Sequence, residues 1–294
     1  MDTKQQKEAL NYFNQNANDW ARSAERGSQD EVNVVKQRND FVIKVIGEKE
    51  RVDSVLDIGC GTGDLVCEIA AKGINAIGVD FAPDMINLAK DKAGKSKCGK
   101  AQFECCSAFS FPFEQDQYDV ISANGFIEYI SYEEFDQLLS LSWKALRRGG
   151  SLVLGSRNRL FNIFSLNEFT QDEIEEGNIA ALILEAIRMA GLENVKDLIG
   201  FKTAPLQKEN KEHKDTGIKV STRYQFTPAQ LVNKLKGKGF EPVEIFPIHI
   251  HGVPLRLKDK FPMVHGNISN LLQNYANNSC LISQASSFMI HCRK

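Results

Sequence analysis

The chain has 294 residues, long for one small domain, short for two full ones, and enough to bury a sizeable core. Its 36 basic and 38 acidic residues leave a formal net charge of −2, so no electrostatic footprint for nucleic acid stands out. It begins M-D-T-K-Q-Q-K-E without an apolar leader, and no segment approaches the ~20 apolar residues that span a bilayer; a cytoplasmic protein without membrane association is expected.

Short apolar runs alternate with amphipathic stretches, which gives a βαβ series. Strands are expected at Ser54–Ile58, Ala76–Asp80, Ala101–Cys105, Tyr118–Ala123 and Ser151–Gly155. Helices are expected between them at Asp64–Ala71, Pro83–Lys92 and Tyr132–Leu146, with Pro83 suited to a first turn. Arg147-Arg-Gly-Gly150 is expected to close the last of these helices and lead into the fifth strand. Later, Thr227-Pro-Ala-Gln230 reads as a cap plus first-turn proline of a helix to Lys238, and strands follow at Glu244–His249 and Phe288–Cys292. Seven cysteines (60, 67, 98, 105, 106, 280, 292) form no C-x-x-C pair, so buried thiols in a reducing compartment are expected rather than zinc or disulfides.

The most informative stretch is Val55 to Leu65, V-L-D-I-G-C-G-T-G-D-L. An apolar strand enters a turn with glycine at 59, 61 and 63, and a helical pattern leaves it. Glycine there lets the backbone bend sharply and approach a ligand, at the strand end where α/β folds seat nucleotide-like molecules. The next strand ends in Asp80, placed to reach both hydroxyls of a ribose. A dinucleotide turn needs G-x-G-x-x-G, whereas here the third glycine comes one residue early and Asp64 follows, a poor neighbour for a diphosphate. Asp57, before the turn, suits a ligand carrying positive charge.

This pattern resembles motif I of the class I S-adenosylmethionine-dependent methyltransferases, and Asp80 resembles their ribose-binding acid. The resemblance covers roughly residues 10–156 and 223–292. It implies an α/β fold: a seven-stranded, mostly parallel Rossmann-like sheet with helices on both faces, its last strand antiparallel. Residues 1–50 are then an amino-terminal helical cover, 51–157 with 223–294 the core, and 158–222 an inserted cap that suits substrate binding or a homodimer interface. A second insertion runs from His251 to about Gln284. The implied cofactor is S-adenosylmethionine, held by the backbone at Gly59, Cys60, Gly61 and Gly63, with the ribose on Asp80. Phe81 covers one adenine face and Met85 lies near it. Where the family commonly has an adenine-binding Asp, this chain reads Cys106-Ser107-Ala108, so Ser107 replaces the acid. Asn124, after the fourth strand, is the expected contact of the methionine moiety.

Tyr12 to Trp20 resembles the F-x-x-x-A-x-x-W amino-terminal helix of ubiquinone-type small-molecule O-methyltransferases, which folds over the cofactor. By that resemblance Arg38 pairs with the methionine carboxylate. On the acceptor side, His249 and His251 alternate along an extended stretch and are candidate general bases. No acid at ligand spacing accompanies them, so no metal is expected. Arg157, Asn158 and Tyr224 are candidates to line the acceptor pocket. The implied reaction is methyl transfer to an oxygen or nitrogen of a small metabolite. Three rivals stand beside it: a Rossmann oxidoreductase, transfer of another group from a sulfonium donor, and a scaffold protein without turnover.

Overall fold

A computed structural model describes residues 4–25, 32–96, 98–208 and 224–294. Three helices precede the sheet: α1 (Lys4–Gln15), α2 (Ala17–Glu25) and α3 (Val34–Gly47). The alternating half then runs β1 (Ser54–Ile58), α4 (Asp64–Ala71), β2 (Asn75–Asp80), α5 (Pro83–Ser96), β3 (Ala101–Cys105), β4 (Tyr118–Ala123), α6 (Tyr132–Ala145) and β5 (Leu146–Arg157). Next come α7 (Asn162–Ser165), α8 (Glu168–Glu175), α9 (Ile179–Ala190), α10 (Pro228–Gly237) and β6 (Glu241–Ile250). The chain closes with α11 (Leu255–Lys258), α12 (Pro262–Gln273) and β7 (Ala285–Arg293).

The seven strands form one sheet in the order β3-β2-β1-β4-β5-β7-β6. Neighbours from β3 to β5 pair parallel, and β7 lies antiparallel between β5 and β6. The expected fold class is therefore found. Strand alternation divides the core: Leu56, Ile121 and Leu152 face α6 and α10, while Val55, Val120 and Val153 face α3, α4 and α5. The Thr227 cap expected from the sequence forms a capping box with Gln230, and Ser131 forms a second with Glu134.

The Arg147–Gly150 stretch departs from expectation. It does not close α6 but belongs to β5, which starts at Leu146 opposite Tyr118 and bulges before Ser151 pairs with Val120. Gly149, at φ +75°, takes the left-handed turn that the bulge requires, and its N–H donates to the Lys294 carbonyl. The thiols also split: Cys60, Cys67, Cys98 and Cys292 are buried, but Cys105 and Cys280 are exposed.

Within residues 158–208, Leu160, Leu182, Met189, Val195 and Leu198 pack into the larger core cluster, on the α6 and α10 face of the sheet. Its polar anchor is Arg159, fully buried, whose Nε and Nη2 donate to Glu173 at 2.8 and 2.7 Å. Asn162 and Asn178 donate to the same carboxylate, which completes its solvation by protein. No described helix is long and apolar enough to cross a membrane.

Candidate functional site

At the carboxyl ends of β1, β2 and β4 a cavity opens under the amino-terminal helices. Its floor is the glycine turn. Gly59, Gly61 and Gly63 all have positive φ (+70°, +52° and +74°) but serve differently. A Cβ on Gly63 would lie 2.6 Å from the Phe103 ring and 2.8 Å from Ala89 Cβ, so this glycine admits the packing of α4 against β3 and α5. A Cβ on Gly61 would meet nothing within 4 Å, because the residue borders the cavity.

Asp80 closes the turn. Its carboxylate accepts from the Gly61 N–H at 3.0 Å and from the Ala82 N–H at 2.9 Å. A carboxylate offers about four lone-pair sites, so these backbone donors leave capacity for the hydroxyls of a diol. Burial raises its pKa, and the backbone donors oppose that rise. Asp57 lies directly opposite Ser122 in the β1–β4 register and accepts its hydroxyl proton at 2.6 Å. Burial pushes Asp57 up to about 7, despite that hydrogen bond.

Both atoms of the Asn124 side-chain amide are buried and unbonded among the described residues. Such an amide leaves hydrogen-bonding capacity unused at appreciable cost unless a ligand or water takes it. Arg38 borders the same space and donates from Nη2 to Ser287 Oγ at 3.2 Å. Gly125, at φ +68°, lets Arg38 lie against the backbone; any side chain there would strike the guanidinium.

Asp57, Gly59, Cys60, Gly61, Asp80, Phe81, Met85, Cys106, Ser107, Ala108, Asn124 and Arg38 all line this cavity, as does Trp20. Gly63 sits one step behind the lining, and Tyr12, outside the lining, packs against Phe13 with ring centres 5.4 Å apart. Phe13 is the aromatic lid that sequence reading passed over: its ring lies 6.4 Å from Phe81, 5.2 Å from Tyr129 and 6.1 Å from Trp20. Ser107 Oγ accepts from the Phe109 N–H at 3.3 Å, which holds the short side chain on its own loop.

The acceptor-side candidates scatter. Arg157 does not line the cavity but pairs at 2.6 Å with Glu128, which does. Glu128 is 3% exposed and was not singled out from the sequence. Asn158 is structural: it donates to the Ile282 and Ala285 carbonyls and caps the turn at Leu160. Tyr224 stacks on Tyr132 at 4.2 Å, outside the cavity lining. His249 and His251 do come together, ring centres 4.1 Å apart, but through a left-handed His249 (φ +54°) rather than regular alternation. They also lie outside the lining. Burial depresses both, His251 to about 3 and His249 well below its ordinary value, which makes either a feeble base at neutral pH. A third imidazole, His265 of α12, joins them.

Residues 55–150 match the family model of the methyltransferase domain. A Deinococcus radiodurans protein named demethylmenaquinone methyltransferase is 35% identical over 103 residues, 34% of this chain and 41% of that one. A ubiquinone biosynthesis O-methyltransferase of Hydrogenovibrio crunogenus is 25% identical over 169 residues, 56% of this chain and 66% of that one. The matches thus span about half of the length of these curated relatives. Among solved structures, the Synechocystis magnesium protoporphyrin IX methyltransferase with bound S-adenosylhomocysteine superposes with TM-score 0.56 at 16% identity, covering 97% of each chain. The chain therefore has the methyltransferase fold, and its residues 55–150 are similar to the methyltransferase domain.

Proposed function

We propose that this chain is an S-adenosylmethionine-dependent methyltransferase that moves a methyl group to an oxygen or nitrogen of a small-molecule metabolite. The observation that carries the reading is the convergence, in one cavity, of an open glycine turn, the Asp80 carboxylate and an unpaired Asn124 amide. Those groups fit the cofactor: Asp80 takes the ribose diol, Asn124 and Arg38 take the polar methionine end, and Phe81 and Met85 pack on the adenine. When bound, the sulfonium supplies an already activated methyl group, so few catalytic side chains are needed.

What remains for the protein is alignment and exclusion of water. Holding donor and acceptor in line supplies roughly 7–11 kcal/mol of the barrier. The Phe13, Trp20 and Tyr129 cluster on α1, α2 and the segment after β4 roofs the cavity and keeps it dry. The buried Glu128–Arg157 pair supports the wall of the cavity, placing a carboxylate where an acceptor hydroxyl or amine is to be oriented. The balanced charge favours a small acceptor over nucleic acid. Hydroxylated aromatic rings of the quinol type are the first acceptors to test, given the named activities of the relatives.

The test is incubation with methyl-labelled S-adenosylmethionine and a panel of phenols, quinols and amines. Label transferred to one of them, with S-adenosylhomocysteine released in equal amount, is the expected outcome. Tight binding of nicotinamide dinucleotides, with no affinity for either sulfur compound, would overturn the reading.

A further inference from the structure

Three of the chain's five histidines converge at the carboxyl end of β6. His249 is the penultimate residue of that strand, His251 follows it, and His265 comes from the first turn of α12. One ring nitrogen from each lies within 4.8 Å of the other two. His249 Nε2 and His265 Nε2 are 3.0 Å apart. Two ligands on a tetrahedral zinc, each at about 2.0–2.1 Å, stand about 3.3–3.4 Å apart, so small rotations bring three nitrogens onto one ion.

Two further features mark the cluster as more than packed side chains. His251 is only 8% exposed, and neither of its ring nitrogens has a partner among the described residues. A neutral imidazole always presents one donor and one acceptor, so burying both unused is costly unless something binds there. His249 adopts φ +54°, a strained conformation for a side chain of this size, and it is this turn that brings its ring to the others. The Gln37 side chain holds that conformation by accepting from the His249 N–H at 2.9 Å, and Phe161 stacks on His251 at 4.6 Å.

We propose that His249, His251 and His265 form a binding site for one late first-row divalent metal ion, zinc above all, with the fourth position left to water or another oxygen ligand. Three imidazoles without a thiolate or a carboxylate suit Zn²⁺, Co²⁺, Ni²⁺ or Cu²⁺ and disfavour Mg²⁺ and Ca²⁺. Burial keeps the rings neutral, the form that donates a lone pair. Lys258 and Arg38 are the cations that bear on the cluster, and Asp259 is the acid that bears on His265. An anionic ligand such as hydroxide is therefore favoured in the open position. Because β6 runs parallel to β5, the site opens at the same end of the sheet as the cavity, with Arg38 between them. The metal site stands on these residues alone and does not depend on methyl transfer.

The full chain, stripped with a chelator and dialysed, is titrated with Zn²⁺ alone and then with Co²⁺ alone. One equivalent bound at micromolar concentration or below, with the intense visible absorption of tetrahedral Co²⁺, is the expected result. His265→Ala is expected to weaken binding by at least about 100-fold, more than loss of a supporting partner costs. His251→Gln serves as the second variant, and unchanged S-adenosylhomocysteine binding shows that each remains folded. No binding to the wild-type chain, octahedral Co²⁺ spectra, or undiminished affinity in both folded variants would overturn the proposal.

Discussion

Replacing Gly61 and Gly63 separately by alanine separates binding from folding. At Gly63 two costs add. A residue with a side chain at φ +74° loses about 1–2 kcal/mol in the left-handed region. Its Cβ would also fall 2.6 Å from Phe103 and 2.8 Å from Ala89, an overpacking worth about 1–3 kcal/mol. Gly63→Ala should therefore cost about 2–5 kcal/mol, a large share of the roughly 5–15 kcal/mol that holds a domain together. Gly61→Ala pays only the backbone cost at φ +52°, since nothing lies within 4 Å of the new methyl. That methyl points into the cavity, so the variant should lose S-adenosylmethionine affinity by at least about tenfold, or ~1.4 kcal/mol. Urea denaturation measures the first quantity and titration calorimetry the second. The urea midpoint should fall by about 1 M for Gly63→Ala and by clearly less for Gly61→Ala. A Gly61→Ala protein that binds as the wild type does would refute the floor assignment. Equal loss of stability in both would refute the packing argument.

Asp57 gives a pH signature. Its folded pKa, about 7, lies above the ordinary value near 4, so its contribution to stability is full in acid and is lost as pH rises through 7. Relative to Asp57→Asn, the wild type should lose roughly 3 kcal/mol between pH 5 and 8 in urea unfolding; parallel pH curves would contradict this. Glu185, also raised to about 7 by burial, is expected to behave in the same direction when changed to Gln. Removing the Glu173 carboxylate strands Arg159 without a counter-charge, so Glu173→Ala should cost about 3–5 kcal/mol by the same assay, and a loss under 1 would count against a satisfied buried pair. Ser107→Asp restores the acid that the resemblance leads one to expect; a charged hydrogen bond of about 1.5–3 kcal/mol should tighten S-adenosylhomocysteine binding at least tenfold, and unchanged affinity would place the adenine elsewhere.

The legible parts of the chain were those whose physics is local. The β1–α4–β2 unit was readable because apolar alternation, three glycines and a terminal acid each demand a particular backbone within thirty residues. The Thr227 helix start was readable for the same reason, since a cap with a first-turn proline is a four-residue device. Where the outcome rests on distant partners, sequence said little. Arg147–Gly150 looked like a helix stop, yet Tyr118 across the sheet draws Leu146 into β5. Asn158 looked like a pocket residue at a strand end, but carbonyls more than a hundred residues away claim its amide. His265 lies fourteen residues after His251 on another element, so no spacing rule joins them; only the return of α12 against β6 does. The left-handed His249 likewise had no local signal, because Gln37 on α3 holds it.

The central claim is that the cavity over the glycine turn holds S-adenosylmethionine through Asp80. Calorimetric titration of the full chain and of Asp80→Asn with S-adenosylmethionine, S-adenosylhomocysteine and NADH tests it most directly. The account predicts micromolar binding of the two sulfur compounds, none of NADH, and a loss of at least about tenfold in the variant, the amide offering one acceptor where the carboxylate offered two. Binding of NADH alone, or sulfur-compound affinity untouched by the substitution, would contradict it.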